Sequence, residues 1–175
     1  MRHLLLIMGL ALVCTFQAKT TDSVDDFDLN KLAGRWYPLF LASSVKGSNS
    51  AAFIHTIKVK ADKLMLYFTL RRNGNCKKVP VLAYRLENNK YKLQYPGNNV
   101  LYLEDTDPKD YLLIYTTNEI YGKETKGVEL YSRQKGKVLN QGIKSKFEQL
   151  YILHGLKDEN VIDLTNSDPC SHFSE

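Results

Sequence analysis

Apolar and polar positions alternate with period two through most of this chain. Between residues 63 and 72, Leu64, Leu66, Phe68 and Leu70 interleave with Met65, Tyr67 and Thr69; between 90 and 95, Tyr91, Leu93 and Tyr95 interleave with Lys92 and Gln94. Side chains two apart share one face of a strand, so the pattern predicts strands with one buried side. Turn chemistry separates them. Ala61-Asp62, Asn73-Gly74-Asn75, Asn88-Asn89, Pro96-Gly97-Asn98 and Asp107-Pro108 fall where the alternation stops, and Gly, Asn and Pro favour the backbone angles of tight turns. The predicted strands are 34–42, 52–60, 63–72, 76–86, 90–95, 99–104, 111–118 and 127–134. Pro38 and Pro80 cannot donate to a ladder, so the first strand carries a bend or bulge and the fourth pairs imperfectly. Eight short strands joined in sequence by turns predict an antiparallel up-and-down barrel or a sandwich.

The period changes after Asn140. Ile143, Phe147, Leu150 and Tyr151 recur at helical spacing, which predicts one amphipathic helix from Asn140 or Gln141 to His154, with Gly155 as its stop. Residues 161–164 are a candidate ninth strand. The fold class is therefore all-β with one C-terminal helix. A different pattern opens the chain. Residues 4–16 are an apolar run broken only by Gly9 and Thr15 after a short polar start, Arg2-His3. That suits a signal-peptide core and is too short for a membrane span. Cleavage after Ala18 is expected, leaving residues 19–175 as a single soluble secreted domain without a membrane span. The leader 19–30 is polar and acidic, and Asp28 or Asn30 is placed to cap one helical turn before Gly34. Residues 43–50, rich in Ser and Gly, read as a long mobile loop over an opening.

Charge changes little in this picture. The chain carries a formal +5, or +4 once Arg2 is removed, and no run of five like charges occurs. A nucleic-acid partner is not expected. Cys14 leaves with the signal, so Cys76 and Cys170 remain as an even pair in a secreted chain, and a disulfide is the default. No metal-ligand cluster and no hydrolase or redox motif is present, and no cofactor is expected. Binding chemistry is better represented. Gly34-Arg35-Trp36 holds the only Trp, and an indole at a strand's start can plug one end of a barrel. A guanidinium stacked on it would add a cation–π contact. The strand at 127–134 reads two ways. Hydrophobicity alone turns Val128 and Leu130 inward. If Trp36 and Arg133 meet at the barrel's end, the odd positions face the lumen instead, placing Glu129 and Tyr131 there. A carboxylate and a phenol in an apolar cavity are groups that orient a ligand.

These residues resemble the lipocalins. Gly34-x-Trp36 is similar to the family's first motif, Thr106-Asp107 to the start of its second, where Pro108 stands in place of Tyr, and Arg133 to its third. Glu129-Leu130-Tyr131-x-Arg133, Phe147-Glu148-Gln149-Leu150 with His154-Gly155, and the stretch from Glu159 to Asn166 followed by Cys170 resemble the odorant-binding and major-urinary-protein branch. The resemblance covers essentially residues 28–170. It implies an eight-stranded antiparallel up-and-down lipocalin β-barrel, with Gly34, Trp36 and Arg133 structural and Cys76 bonded to Cys170. It resolves the last strand in favour of odd positions inside. It places Ile54, Ile57, Leu64, Leu66, Phe68, Val81, Leu93, Tyr95, Leu101, Ile114, Thr116, Glu129 and Tyr131 on the ligand-binding lumen. There Tyr131 is expected to hydrogen-bond the ligand's polar group, and Glu129 to orient that group or a cavity water. Gly127 stands where a larger aliphatic residue is common, so the cavity is expected to be wider there. The implied function is non-covalent carriage of a small hydrophobic ligand, odorant-, pheromone- or lipid-like, by a monomer or weak dimer that is not an enzyme; many family members are also allergens. A receptor partner is compatible with this. The alternatives are a lipid-acting enzyme on the same scaffold, which needs a free lumen nucleophile, and a protein-binding lipocalin whose cavity is incidental.

Overall fold

In the computed structural model, which describes residues 28–45, 52–72, 75–87, 89–138, 140–166 and 170, ten strands form one curled antiparallel sheet. In chain order these are β1 (Gly34–Arg35), β2 (Tyr37–Ser43), β3 (Ala52–Lys60), β4 (Lys63–Arg72), β5 (Asn75–Glu87), β6 (Lys90–Leu93), β7 (Asn98–Asp107), β8 (Tyr111–Ile120), β9 (Lys123–Ser132) and β10 (Val161–Asp163). Among the described residues one α-helix, α1 (Gln141–Leu153), precedes β10. The expected signal segment, the Asn73-Gly74 turn and most of the 43–50 loop lie outside the described residues.

The count of ten corrects the expected eight, for two physical reasons. Trp36 splits the first predicted strand: Gly34 and Arg35 pair with Ile57 and Thr56 of β3, while Tyr37 onward pairs with β9. One chain segment thus joins both ends of the curled sheet, which leaves few unpaired edges. A register shift between Pro38 and Phe40 in β2 is the bend that Pro38 predicts. The candidate ninth strand is real, and Val161, Ile162 and Asp163 pair with Ala42, Leu41 and Phe40. Strands β7 and β8 run longer than expected because their polar ends still pair, in β7 across a register shift between Leu103 and Asp105, and β9 spans 123–132 in place of 127–134 because the polar residues 123–126 pair with β8. Strand β6 stops at Leu93, two residues early.

Two apolar clusters explain the last strand's ambiguity. Val128 and Leu130 pack outside the barrel against Ile143, Phe147 and Tyr151 of α1. Tyr131 packs inside with Trp36, Ile54 and Leu66. Both faces of β9 are apolar because the helix covers the outer one. The Asn140 side chain caps α1 by accepting from the Ile143 N–H at 2.9 Å, and Gly155 ends it at φ +76°. The side chain of Asp28 caps the turn Leu29–Leu32 by accepting from Asn30 N–H.

Candidate functional site: the barrel's closed end and its cavity

The closed end is built on Trp36. Its side chain is fully buried, its indole N–H donates to Leu32 O at 2.9 Å, and the Arg133 guanidinium lies 3.7 Å from the ring centroid. That guanidinium also donates to three carbonyls, Pro108 O (2.8 Å), Arg35 O (3.0 Å) and Lys31 O (2.7 Å). One side chain therefore ties the Leu29–Leu32 turn, the first strand and the β7–β8 turn together. Pro108, standing where the family's second motif has Tyr, still presents its carbonyl to Arg133. Gly34 has φ +109°, and a Cβ there would lie 3.1 Å from the guanidinium, so both backbone and space require glycine.

Above this floor, at the end where β9 begins, lies a cavity of about 310 Å³. Of the thirteen residues assigned to the lumen by resemblance, Phe68, Val81, Leu93, Tyr95, Thr116 and Glu129 line it. Tyr95 sits past the end of β6 at the rim and is 47 % exposed. The other seven, Ile54, Ile57, Leu64, Leu66, Leu101, Ile114 and Tyr131, do not line the cavity. They form the packed layer beneath it, each 1 % exposed or less. The wall also contains Leu41, Leu70 and Val79, which share the inward face by alternation, and a polar upper band of Ser43, Asn99, Thr117, Asn118, Thr125 and Lys126. That band carries no apolar alternation, so sequence pattern does not reveal it. Gly127 is in the wall, and a Cβ there would sit 3.0 Å from Thr116 Oγ1.

Among the described residues, Glu129 is the one acid in the cavity wall. It is 8 % exposed, and burial raises its pKa from 4.5 to about 7, against the opposing hydrogen bonds of Tyr131 and Thr116. The Tyr131 hydroxyl donates to Glu129 Oε2 and accepts from the Ile54 N–H at 3.1 Å. That N–H lies where the β3–β4 register shifts between Ile54 and Thr56. The geometry thus uses Tyr131 to hold Glu129 and fill the gap in the ladder, and presents Glu129 to the cavity. The folded protein holds the Glu129 proton more tightly than the unfolded chain, so stability falls as pH rises from about 4.5 through about 7 and is level above. The size of the effect is roughly 3 kcal/mol. Glu129→Gln, which still accepts from Tyr131, is expected to abolish this slope in urea unfolding measured across that pH range.

The expected disulfide is present. Cys76 and Cys170 are joined, with Cα atoms 5.8 Å apart, so neither is a free nucleophile. His154 is not a lumen group. It stacks on Tyr115 outside the barrel at 3.5 Å between centroids, and burial, with Lys126 nearby, lowers its pKa.

The comparisons with known proteins agree with this architecture. Residues 33–168 match the model of the lipocalin / cytosolic fatty-acid binding protein family. The chain is 32 % identical to major urinary protein 20 of Mus musculus, over 98 % of this chain and 97 % of that protein. It is 31 % identical to the major allergen Equ c 1 of Equus caballus, over 97 % and 94 %. Among solved structures it is similar to the possum milk whey lipocalin trichosurin with bound 4-ethylphenol, at 29 % identity and TM-score 0.68, covering 78 % of this chain and 98 % of that one.

Proposed function

This chain belongs to the lipocalin / cytosolic fatty-acid binding protein family, and from that premise we propose that it is a secreted carrier holding one small, mostly apolar molecule non-covalently in its barrel. The observation that carries this reading is the buried carboxyl of Glu129 in the wall of an otherwise apolar-floored cavity. A volume of about 310 Å³ has room for on the order of ten non-hydrogen atoms, taking ~30 Å³ for each water displaced. The trichosurin ligand, 4-ethylphenol, is of that order.

Leu93, Val81 and Phe68 take the ligand's apolar body. Glu129, whose proton is retained below about pH 7, donates to a carbonyl or hydroxyl on the ligand, and Tyr131 and Thr116 hold the carboxyl in place. Burying roughly 250 Å² of ligand apolar surface contributes about 6 kcal/mol, near tens of micromolar. One hydrogen bond of about 1 kcal/mol tightens this several-fold. Glu129 is the polar anchor beside the apolar floor, while the other polar side chains form the upper band of the wall, so binding is broad among compounds of this size.

The test is displacement of a fluorescent apolar probe by a series of matched hydrocarbons, alcohols and ketones. Micromolar affinity is expected, with ketones weakening as pH passes 7 in the wild type and not in Glu129→Gln. Tyr131→Phe is expected to weaken ketone binding less than Glu129→Gln does, because it removes the support and not the contact. Gly127→Val fills the wall beside Thr116 and is expected to weaken every ligand by about tenfold or more. Absence of saturable probe binding by the wild type would overturn the carrier reading.

A further inference from the structure

The segment from residue 52 to 92 holds ten Lys and Arg against two acids, Asp62 and Glu87, a net +8, while the rest of the chain carries −3. The charges are scattered in sequence, and the sheet gathers them. In β3, β4, β5 and β6 the inward positions are mostly apolar, and the outward ones carry Lys58, Lys60, Lys63, Lys78, Lys90 and Lys92. Ring contacts place them on one face. Lys58 and Lys78, from the two strands flanking β4, both lie over Tyr67, at 5.3 and 5.9 Å, and Lys63 lies over Tyr84 at 5.2 Å. Lys58 pairs with Met65 and Lys78 with Thr69, so the two stems reach Tyr67 from opposite directions along β4, about 16 Å apart at their Cα atoms by strand spacing and rise, and their ammonium groups converge on the ring. The helix packs on the opposite wall, against β2, β8 and β9. At the closed-end edge of this face Glu87 lies 3.9 Å from Lys90, and Asp62 sits in the β3–β4 turn.

We propose that this wall binds a sulfated linear polysaccharide of the extracellular matrix. Charge complementarity carries the assignment, and shape selects the partner. A single exposed ion pair adds little, so an isolated sulfate is not held. A chain with closely spaced sulfates engages several lysines together and releases its condensed counterions. The outside of a barrel is convex, so a flat bilayer meets only a narrow stripe of it, whereas a flexible chain follows the curve. The Tyr rings lie under ammonium groups and offer no wedge for insertion into lipid. The charges used are all lysine point charges, without the bidentate fork that reads bases. This site is separate from the cavity and independent of what the cavity holds.

The mature protein is passed over immobilised heparin at about 150 mM NaCl, and binding to a size-defined heparin oligosaccharide is measured in solution. Retention of the wild type is expected. The variant Lys58→Gln/Lys63→Gln/Lys78→Gln/Lys92→Gln is expected to lose affinity by about tenfold or more with a shallower salt dependence. An equally neutralised control, Lys109→Gln/Lys123→Gln/Lys135→Gln/Lys144→Gln, changes elsewhere and is expected to stay within about twofold, since separated surface charges are screened. Fluorescent-probe binding in the cavity should be the same in all three proteins, showing that the fold is intact. The proposal is overturned by failure of the wild type to bind at that salt or by equal loss in the control. It is overturned as well by undiminished binding to desulfated chains, or by tighter binding to phosphatidylserine vesicles or single-stranded oligonucleotides than to heparin.

Discussion

Trp36→Ala is expected to lower folding stability by about 3–5 kcal/mol, with the melting temperature falling by roughly 10 °C or more. The loss has three parts. A fully buried indole leaves a cavity among Leu32, Ile57 and Leu64 that these packed neighbours refill only in part. Leu32 O loses its donor. Arg133 loses the ring it lies on while its guanidinium stays tethered to three carbonyls. Trp36→Phe keeps most of the volume and is expected to cost less, about 1–3 kcal/mol, because the lost indole N–H leaves a buried carbonyl. Arg133→Met keeps the stem and removes the charge, leaving Lys31 O, Arg35 O and Pro108 O short of donors, at about 2–4 kcal/mol. The two positions touch, so the double variant should be less destabilised than the sum of the singles. Additive losses in a urea-unfolding cycle would show that the stack contributes nothing beyond the hydrogen bonds.

The second large effect is expected from Cys76→Ala/Cys170→Ala. The bond closes a loop with a sequence separation of 94 residues, and the chain-entropy account assigns about 4–5 kcal/mol to a loop of that length. Cys76 opens β5 opposite Arg71 of β4, and Cys170 is 4 % exposed. Neither lines the cavity. Stability should therefore fall sharply while probe affinity, measured well below the unfolding transition, stays within about twofold, because additivity holds for distant sites. A matching loss of affinity would mean that the tail helps to shape the cavity.

The fold class was legible because period-two alternation, interrupted by Asn-Gly and Pro-Gly turns, has few other physical solutions. The helix was legible from Ile143, Phe147, Leu150 and Tyr151 with Asn140 and Gly155 at its ends. The strand count was not, since a split at Trp36 is a choice of two pairing partners by one segment, and no local pattern encodes a partner. Within the site, inward positions on β4 and β5 followed from alternation. Depth did not: Ile57 and Leu93 share a face, yet one lies in the floor and the other in the cavity wall, because the packing around Trp36 ends between them.

By itself, then, the chain determined its alternation, its turns, its one helix, its cysteine pair and the residue types available for an anchor, since these rest on local backbone preference and on which faces can be buried. Only the tertiary structure decided that Glu129 faces the cavity while Tyr131 supports it, because the N–H that Tyr131 satisfies belongs to Ile54, 77 residues away in sequence. It likewise decided that lysines scattered from 58 to 92 share one wall. The physical reason is the same in both cases. Which groups meet across strands depends on register, and register is settled by the closure of the whole sheet, not by any stretch of it.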